Sequence, residues 1–288
     1  MSEIELTDNQ KRKLYNEYYS DVSVLFEIVK QLKGREVALL SIKYCVRNIK
    51  SHNMAYFKSN LNSFDFFNRF YNVYISSAIY YNMPMFSFDP AKRREQSEKF
   101  RNDFKKYMTG YDFFIDIDGK PDELPFEDSD KIIELFESYK VPYSLRISGK
   151  GFHFIIPSEY FNFTKNFVVR VDMFKEFVRK IKIIYELKNI DTTVYDLRRV
   201  YKVPYSLDVK TMRVCFPLTE MQYELLRKTP NIFHVGNVLQ YMKTGRLSLQ
   251  NRGIKLRNED FHSQTKVEYM FKDIVEEYFN DKKKKFHT

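Results

Sequence analysis

Tryptophan is absent from this chain and cysteine nearly so: only Cys45 and Cys215 occur, far apart and without metal-site spacing. That pattern excludes a disulfide framework and a zinc knuckle, and it suits a reducing cytoplasm. No run of about 18 apolar residues is present, so no membrane span is expected. The opening MSEIELTDNQKRK lacks the apolar segment of a secretory signal. What the chain has in quantity is Tyr (22) and Phe (27) among 288 residues, ample core for one large domain or two small ones. Basic residues outnumber acidic ones 48 to 38, a formal charge of +10. The surplus suits a nucleic-acid partner or a basic solvated surface equally. Part of it is the Lys282–Lys285 run, read as a frayed tail. Asn162-Phe163-Thr164 fits a glycosylation acceptor but is a chance match in a cytosolic chain.

The chain is organised around Tyr111–Gly119, YDFFIDIDG, read as a buried strand. Alternation puts Asp112, Phe114, Asp116 and Asp118 on one face and Phe113, Ile115 and Ile117 on the other. The apolar face should pack on helices. The other face crowds carboxylates together, which repel and resist burial. Something positive belongs over it, and a divalent cation is the simplest candidate.

Around this strand the order reads as follows. Thr7 and Gln10 make a capping box, and Leu14, Tyr18, Val22, Leu25 and Val29 mark one amphipathic helix over 8–32, ended by Gly34. Residues 35–47 read as a strand or strand pair, 61–71 and 73–82 as short helical or mixed segments. Pro84 and Pro90 break the chain, and 91–108 reads as a charged surface helix. An acidic turn after Asp118 leads to a helix over 131–139, with Ile132, Ile133, Leu135 and Phe136 inward. Strands YSLRIS and FHFIIP follow, joined at Gly149-Lys150-Gly151. A helix over 165–187 and a strand region over 198–206 complete a β-α-β-β-α-β order, the split βαβ of RNA-recognition-type domains. There the first and third strands are adjacent and antiparallel, so Asp116, Asp118 and His153 share the open face. Thr219 and Gln222 form a second capping box, a helix near 235–243 ends at Gly245, and 246–257 is basic and irregular. A final helix over 265–279 carries the stripe Val267, Met270, Phe271, Ile274, Val275 and Tyr278, suited to docking on its own domain or on a partner.

Two further segments bear chemistry. In Ser148-Gly149-Lys150-Gly151-Phe152-His153 the glycines allow close backbone approach to an anion, successive amides can form a nest, and Lys150 adds charge. The same residues also suit a plain hairpin turn with a core histidine, and they are not a Walker A loop. Asp191 opens a segment running through Asp196, Arg198, Arg199, Lys202 and Asp208 to Lys210. Asp191 suits a three-carboxylate site, and Arg199 and Lys202 suit phosphates or surface ion pairing.

Acid-x-acid, SGxGxH and an apolar residue before Asp, in this order, resemble the three motifs of the archaeo-eukaryotic primase superfamily. RRVYKVPYSLDVKT after Asp191 is similar to the segment that follows the third acid in catalytic primase subunits. Tyr18-Tyr19-Ser20, Gly34-Arg35-Glu36, Arg47 and VYISSAIYYNMP at 73–84 resemble pieces of archaeal small subunits, so the likeness spans about 14–217. It implies an α+β catalytic core: an N-terminal helical and α/β part over 1–110 and an RNA-recognition-like unit over 111–217; the helices over 218–288, with their basic tail, read as a C-terminal extension that the resemblance does not reach. It implies a DNA primase-polymerase, a template-directed nucleotidyltransferase of DNA replication or repair; the compact zinc-free form resembles a plasmid, phage or CRISPR-associated primase-polymerase more than a replicative primase subunit. By motif match Asp116, Asp118 and Asp191 would be catalytic and bind two Mg²⁺ or Mn²⁺ ions, with no zinc. Ser148, Gly149, Lys150, Gly151 and His153, supported by Arg199 and Lys202, would hold the nucleoside triphosphate. Partners would be a single-stranded or primed DNA template, nucleoside triphosphates and a protein met through the last helix; the expected place is the cytoplasmic nucleoid. Two departures stand out. There are no cysteines for the usual zinc insertion, and Asp208 sits where archaeal members typically carry His. The alternative is a non-catalytic RNA-recognition-like subunit that binds nucleic acid within a replication or repair complex.

Overall fold

The computed structural model describes residues 6–41, 45–49, 54–63, 65–81, 105–120, 123–162, 166–193, 195–249, 256–260 and 262–286. Pro84, Pro90, residues 91–104 and Phe163-Thr164, on which several expectations fell, lie outside them. The α+β class is as expected. Thr7 opens α1 (Asp8–Ser20) through a full capping box with Gln10. The single helix expected over 8–32 is two. Asp21 is extended, and its carboxylate accepts from the amides of Ser23 and Val24, starting α2 (Val22–Lys30). Aspartate satisfies the first amides of a helix better than it serves a helix interior, and here that preference breaks the periodic run.

β1 (Val37–Leu40) and β2 (Cys45–Ile49) are the anticipated strand pair. α3 (Met54–Ser63) and α4 (Phe66–Arg69) are helical, but 72–80 is not. It forms β3 (Asn72–Ser76) and β4 (Ala78–Tyr80), and the buried Val73 and Ile75 alternate with half-buried Asn72 and Tyr74. Residues 105–107 are helical, but Met108 starts β5 (Met108–Tyr111), which pairs with β4.

The central unit comprises β6 (Phe113–Asp118), α5 (Phe126–Ser138), β7 (Ser144–Ile147), β8 (Gly151–Ile156) and α6 (Phe167–Ile184). α5 begins five residues ahead of Lys131. Glu127 and Asp128 fall in its first turn, where carboxylates favour the positive helix end, so part of the acidic turn is helix. The sheet order is β6-β8-β7, antiparallel throughout, with Asp116 opposite His153 and His153 opposite Arg146.

The last strand of the β-α-β-β-α-β order does not pair with β6. β9 (Val200–Lys202) pairs with β3 and completes the sheet β2-β1-β3-β9. Beside β6 stands a single bridge, Ile117 to Ile190. Asp191 explains the departure: its Oδ1 accepts from the amide of Thr193, an Asx-type turn that leads the chain away from β6. β10 (Leu207–Asp208) and β11 (Arg213–Val214) then make a hairpin.

α7 (Glu220–Lys228) has the second capping box, and α8 (Val235–Lys243) is followed by Gly245 at positive φ. α9 (Ser263–Phe286) departs from helical angles at Val275 and carries the Lys282–Lys285 run as helical backbone, not as a frayed end. Val267, Met270, Phe271 and Val275 are buried. Phe271 stacks on Phe177 with centroids 4.2 Å apart and meets Phe113 at 5.2 Å. The stripe through Val275 is therefore used within the chain, behind β6; the side chain of Tyr278 lies outside the described residues. Among the described residues no helix is long and apolar enough to cross a membrane.

Candidate active site

β6 delivers its side chains as alternation requires. Phe113, Ile115 and Ile117 are fully buried on the helix side. On the other side each acid meets a different cation of the chain itself. Asp112 binds Arg35 (2.6 Å), accepts from the Tyr201 hydroxyl (2.8 Å) and from the Ser158 amide (3.0 Å), and is buried. It is a joint between β6, β9 and the N-terminal part. Asp116 lies 3.4 Å from His153 Nε2 and 3.9 Å from Arg199. Burial alone would raise its pKa; His153, Arg199 and Lys202 outweigh that and hold it below the ordinary carboxylate value. Asp118, half-exposed, binds Lys150 at 2.7 Å.

Asp191 comes alongside through the backbone. Its amide donates to the Asp116 carbonyl at 2.9 Å, and the Asp118 amide donates to Asn189 at 2.9 Å. Asp128 of α5 accepts the Asn189 amide, and the Tyr195 hydroxyl donates to the Phe114 carbonyl, pinning this segment at both ends. The three motif acids thus converge at one sheet edge, but their carboxylates are separately engaged, with Asp191 Oδ1 also accepting from the Thr193 hydroxyl at 2.7 Å. Among the described residues no three of His, Cys, Asp or Glu form a ready metal cluster. The donor chemistry nevertheless fits a hard divalent cation: the acids are all-oxygen, and among the described residues the buried Asp116 Oδ1 has only the long 3.4 Å approach of His153 Nε2. His153 Nδ1, Arg146 Nη1 and Arg199 Nε are buried without a hydrogen-bond partner among the described residues.

The glycines are explained by the chain before any anion is considered. A Cβ on Gly151 would lie 1.9 Å from the Ile117 carbonyl oxygen, so β8 and β6 approach only because that position is bare. Gly149 sits at φ +118, and a Cβ there would meet Asp208 Cγ at 2.7 Å. Ser148 is buried, and its amide donates to the Gly151 carbonyl. His153 is buried, edge-on to Phe114 at 5.4 Å. Arg199 lies over the Phe114 ring at 5.7 Å, above the acids. Lys202 is buried, donates to the Ser148 carbonyl at 2.7 Å and pairs with Asp208. Desolvation would lower its pKa, and Asp208 more than reverses that.

Sequence reasoning missed Arg146, Arg213 and the role of Arg35. Arg146 is buried, with its guanidinium 5.4 Å from the Tyr201 ring centre. It stands in β7 opposite His153, so alternation along that strand would have put it on this face. Arg213 donates to the Gly149 carbonyl at 3.0 Å and is reached only through a hairpin that periodicity does not mark. A groove of about 920 Å³ lies elsewhere, lined by Asp130, Glu134, Glu137, Phe216 and Tyr223, and shares no residue with the acids of β6.

No family model matches the chain, and no curated protein matches it. Solved structures do, 28 chains in all. One is the polymerase domain from Mycobacterium tuberculosis ligase D in complex with DNA: 12% identity, TM-score 0.47, covering 82% of this chain and 89% of that one. Another is the archaeo-eukaryotic primase domain of the cyanophage S-2L primase-polymerase: 12% identity, TM-score 0.37, covering 81% of this chain and 97% of that one. Both TM-scores lie below 0.5, too low to carry a function across, so the residues themselves must do it.

Proposed function

We propose that the chain is a template-directed nucleotidyltransferase, a primase-polymerase that joins nucleotides on a DNA template. The observation that supports this best is the backbone bond from Asp191 to Asp116, which draws a third acid beside Asp116 and Asp118 next to a cation-backed glycine turn. Asp116, Asp118 and Asp191 would hold Mg²⁺ or Mn²⁺, for which Asp118 must leave Lys150. Such ions, when bound, help ionise the attacking 3′ hydroxyl and neutralise charge developing on the phosphates. The chain's own part is positional. Lys150 and the amides of the turn would receive the triphosphate, and Arg199, held over Phe114, would face the phosphate nearest Asp116. His153, with Nε2 toward Asp116 and most of its surface covered, would orient that carboxylate.

The test is synthesis on an unprimed circular single strand and on a primed template, with Mg²⁺ or Mn²⁺ and with ribo- and deoxynucleotides supplied separately. The wild type should make product, and Asp116→Ala/Asp118→Ala should not. Product from the double variant would reject this site. A second reading, a non-catalytic nucleic-acid-binding subunit, is favoured by the lack, among the described residues, of three ligating groups already clustered for a metal. It predicts template binding with no synthesis under any of these conditions and no dependence of nucleotide binding on divalent ions.

A further inference from the structure

Asp208 stands where the resemblance leads one to expect histidine, and the structure gives it definite work. In the β10–β11 hairpin Asp208 lies opposite Arg213. Its Oδ1 accepts from the amides of Lys210 (3.1 Å) and Thr211 (2.8 Å) and from the Thr211 hydroxyl (2.9 Å), so the carboxylate is itself fixed. Its other oxygen takes the buried Lys202 ammonium, which also donates to the Ser148 carbonyl at 2.7 Å. Arg213 holds the next carbonyl, that of Gly149, at 3.0 Å.

Two successive carbonyls of the turn are therefore each held by a buried cation, that of Ser148 by Lys202 and that of Gly149 by Arg213. In a trans peptide the N–H points opposite to the C=O. Fixing the carbonyls of Ser148 and Gly149 on the hairpin side turns the amides of Gly149 and Lys150 to the other side. Neither amide donates to another backbone group among the described residues. Adjacent free amides beside an ammonium make an anion-binding nest.

We propose that Asp208 is a positioning residue. Through Lys202, and together with Arg213, it sets the Ser148–Lys150 turn so that the Gly149 and Lys150 amides receive the terminal phosphates of a nucleoside triphosphate. Lys202 then acts on the carbonyl beneath the turn and does not touch the nucleotide. The inference rests on the proposed function for the identity of the anion, but not for the existence of the brace.

Asp208→Asn removes the charge that holds Lys202 in place. It should raise KM for the nucleotide about tenfold, as loss of a supporting contact commonly does, while kcat stays within about threefold. Asp208→Glu should recover most of the loss. A purely structural role would lower the folded fraction and leave KM alone. Amide hydrogen exchange gives the readout independent of catalysis: the Ser148 amide, which closes the turn on the Gly151 carbonyl, should exchange at least about tenfold faster in Asp208→Asn, with β6 and β8 unchanged. If Asp208→Asn does not fold, Asp208→Asn/Lys202→Met, which removes the buried pair together, is measured in its place with the same expectations. Unchanged exchange at the Ser148 amide overturns the proposal whether or not the wild type synthesises anything. Faster exchange with unchanged KM overturns it as well. A wild type that neither binds nucleotide nor makes product defeats the proposed function, while the exchange result still decides the brace.

Discussion

Phe113, Ile115 and Ile117 alternate along β6 with Phe114, Asp116 and Asp118, and the two sets meet different surroundings. One set is sealed by Phe174, Phe177 and Phe271, rings that pack within 4.8–5.5 Å of Phe113. The other faces β9 and the glycine turn, where each acid holds a cation and several buried polar atoms are left unbonded. Apolar burial is non-directional and tolerates no missing volume. Unbonded buried polar atoms are costly and persist where a ligand or a task supplies the missing partner. The same six-residue strand thus separates what keeps the protein folded from what it does.

That separation has a largest test. Asp116→Asn should cut synthesis by more than about a hundredfold, a loss beyond that of most supporting residues, while the urea midpoint moves less than for any truncation on the opposite face. Steady-state kinetics and denaturant unfolding on one preparation check both halves, and equal damage to stability and to catalysis would erase the distinction between faces. Phe113→Ala should destabilise by about 3–5 kcal/mol, read by the same unfolding experiment, with kcat of the folded fraction unchanged. A smaller effect concerns Lys150 and Asp118, an ion pair exposed enough to be weak. Lys150→Gln should tighten Mn²⁺ binding by no more than about fivefold, measured by the loss of the free-ion electron paramagnetic resonance signal. In the Asp118→Asn background the same change should do nothing. Additive effects would mean that the lysine acts on the ion at large and not through this carboxylate.

The subtlest test uses protons. Burial pushes Asp116 and Asp208 upward, and their cationic neighbours outweigh it, so both titrate below ordinary carboxylates when folded. The folded state then binds fewer protons than the unfolded chain. The stability this contributes is complete above the ordinary value near 4 and is lost as pH falls through the lowered ones. Urea midpoints should therefore drop below about pH 4, less steeply in Asp208→Asn than in wild type, and with the wild-type slope in Phe113→Ala.

Much of this was readable beforehand. Alternation along β6, the two capping boxes and the β8–β7 hairpin follow from short-range pattern, and pattern found them. So did the stripe of α9, because a row of large apolar residues has to be covered. Most of what escaped depended on contacts distant in sequence, the exception being one local cap. Asp21 breaks a run that periodicity alone would continue. The strands at 72–80 are short, and only pairing decides them, β3 with β1 and β9 and β4 with β5. The place of β9 was hidden because its partner lies more than a hundred residues earlier. Within the candidate site the acids, Lys150 and His153 were legible as motifs. The brace was not, since Arg213 and Lys202 donate to backbone carbonyls, which carry no signature in a sequence.

β9 is three residues long, yet consecutive side chains serve opposite walls: the Tyr201 hydroxyl reaches Asp112, and the Lys202 ammonium reaches Ser148. A slip of one residue along β3 would exchange them. A phenol would then arrive beneath the turn and an ammonium beside Arg35, so a single error in registration would unseat the joint and the cradle together. Whatever variation the neighbouring loops admit, the alignment of this strand is the tolerance to which both halves of the molecule are built.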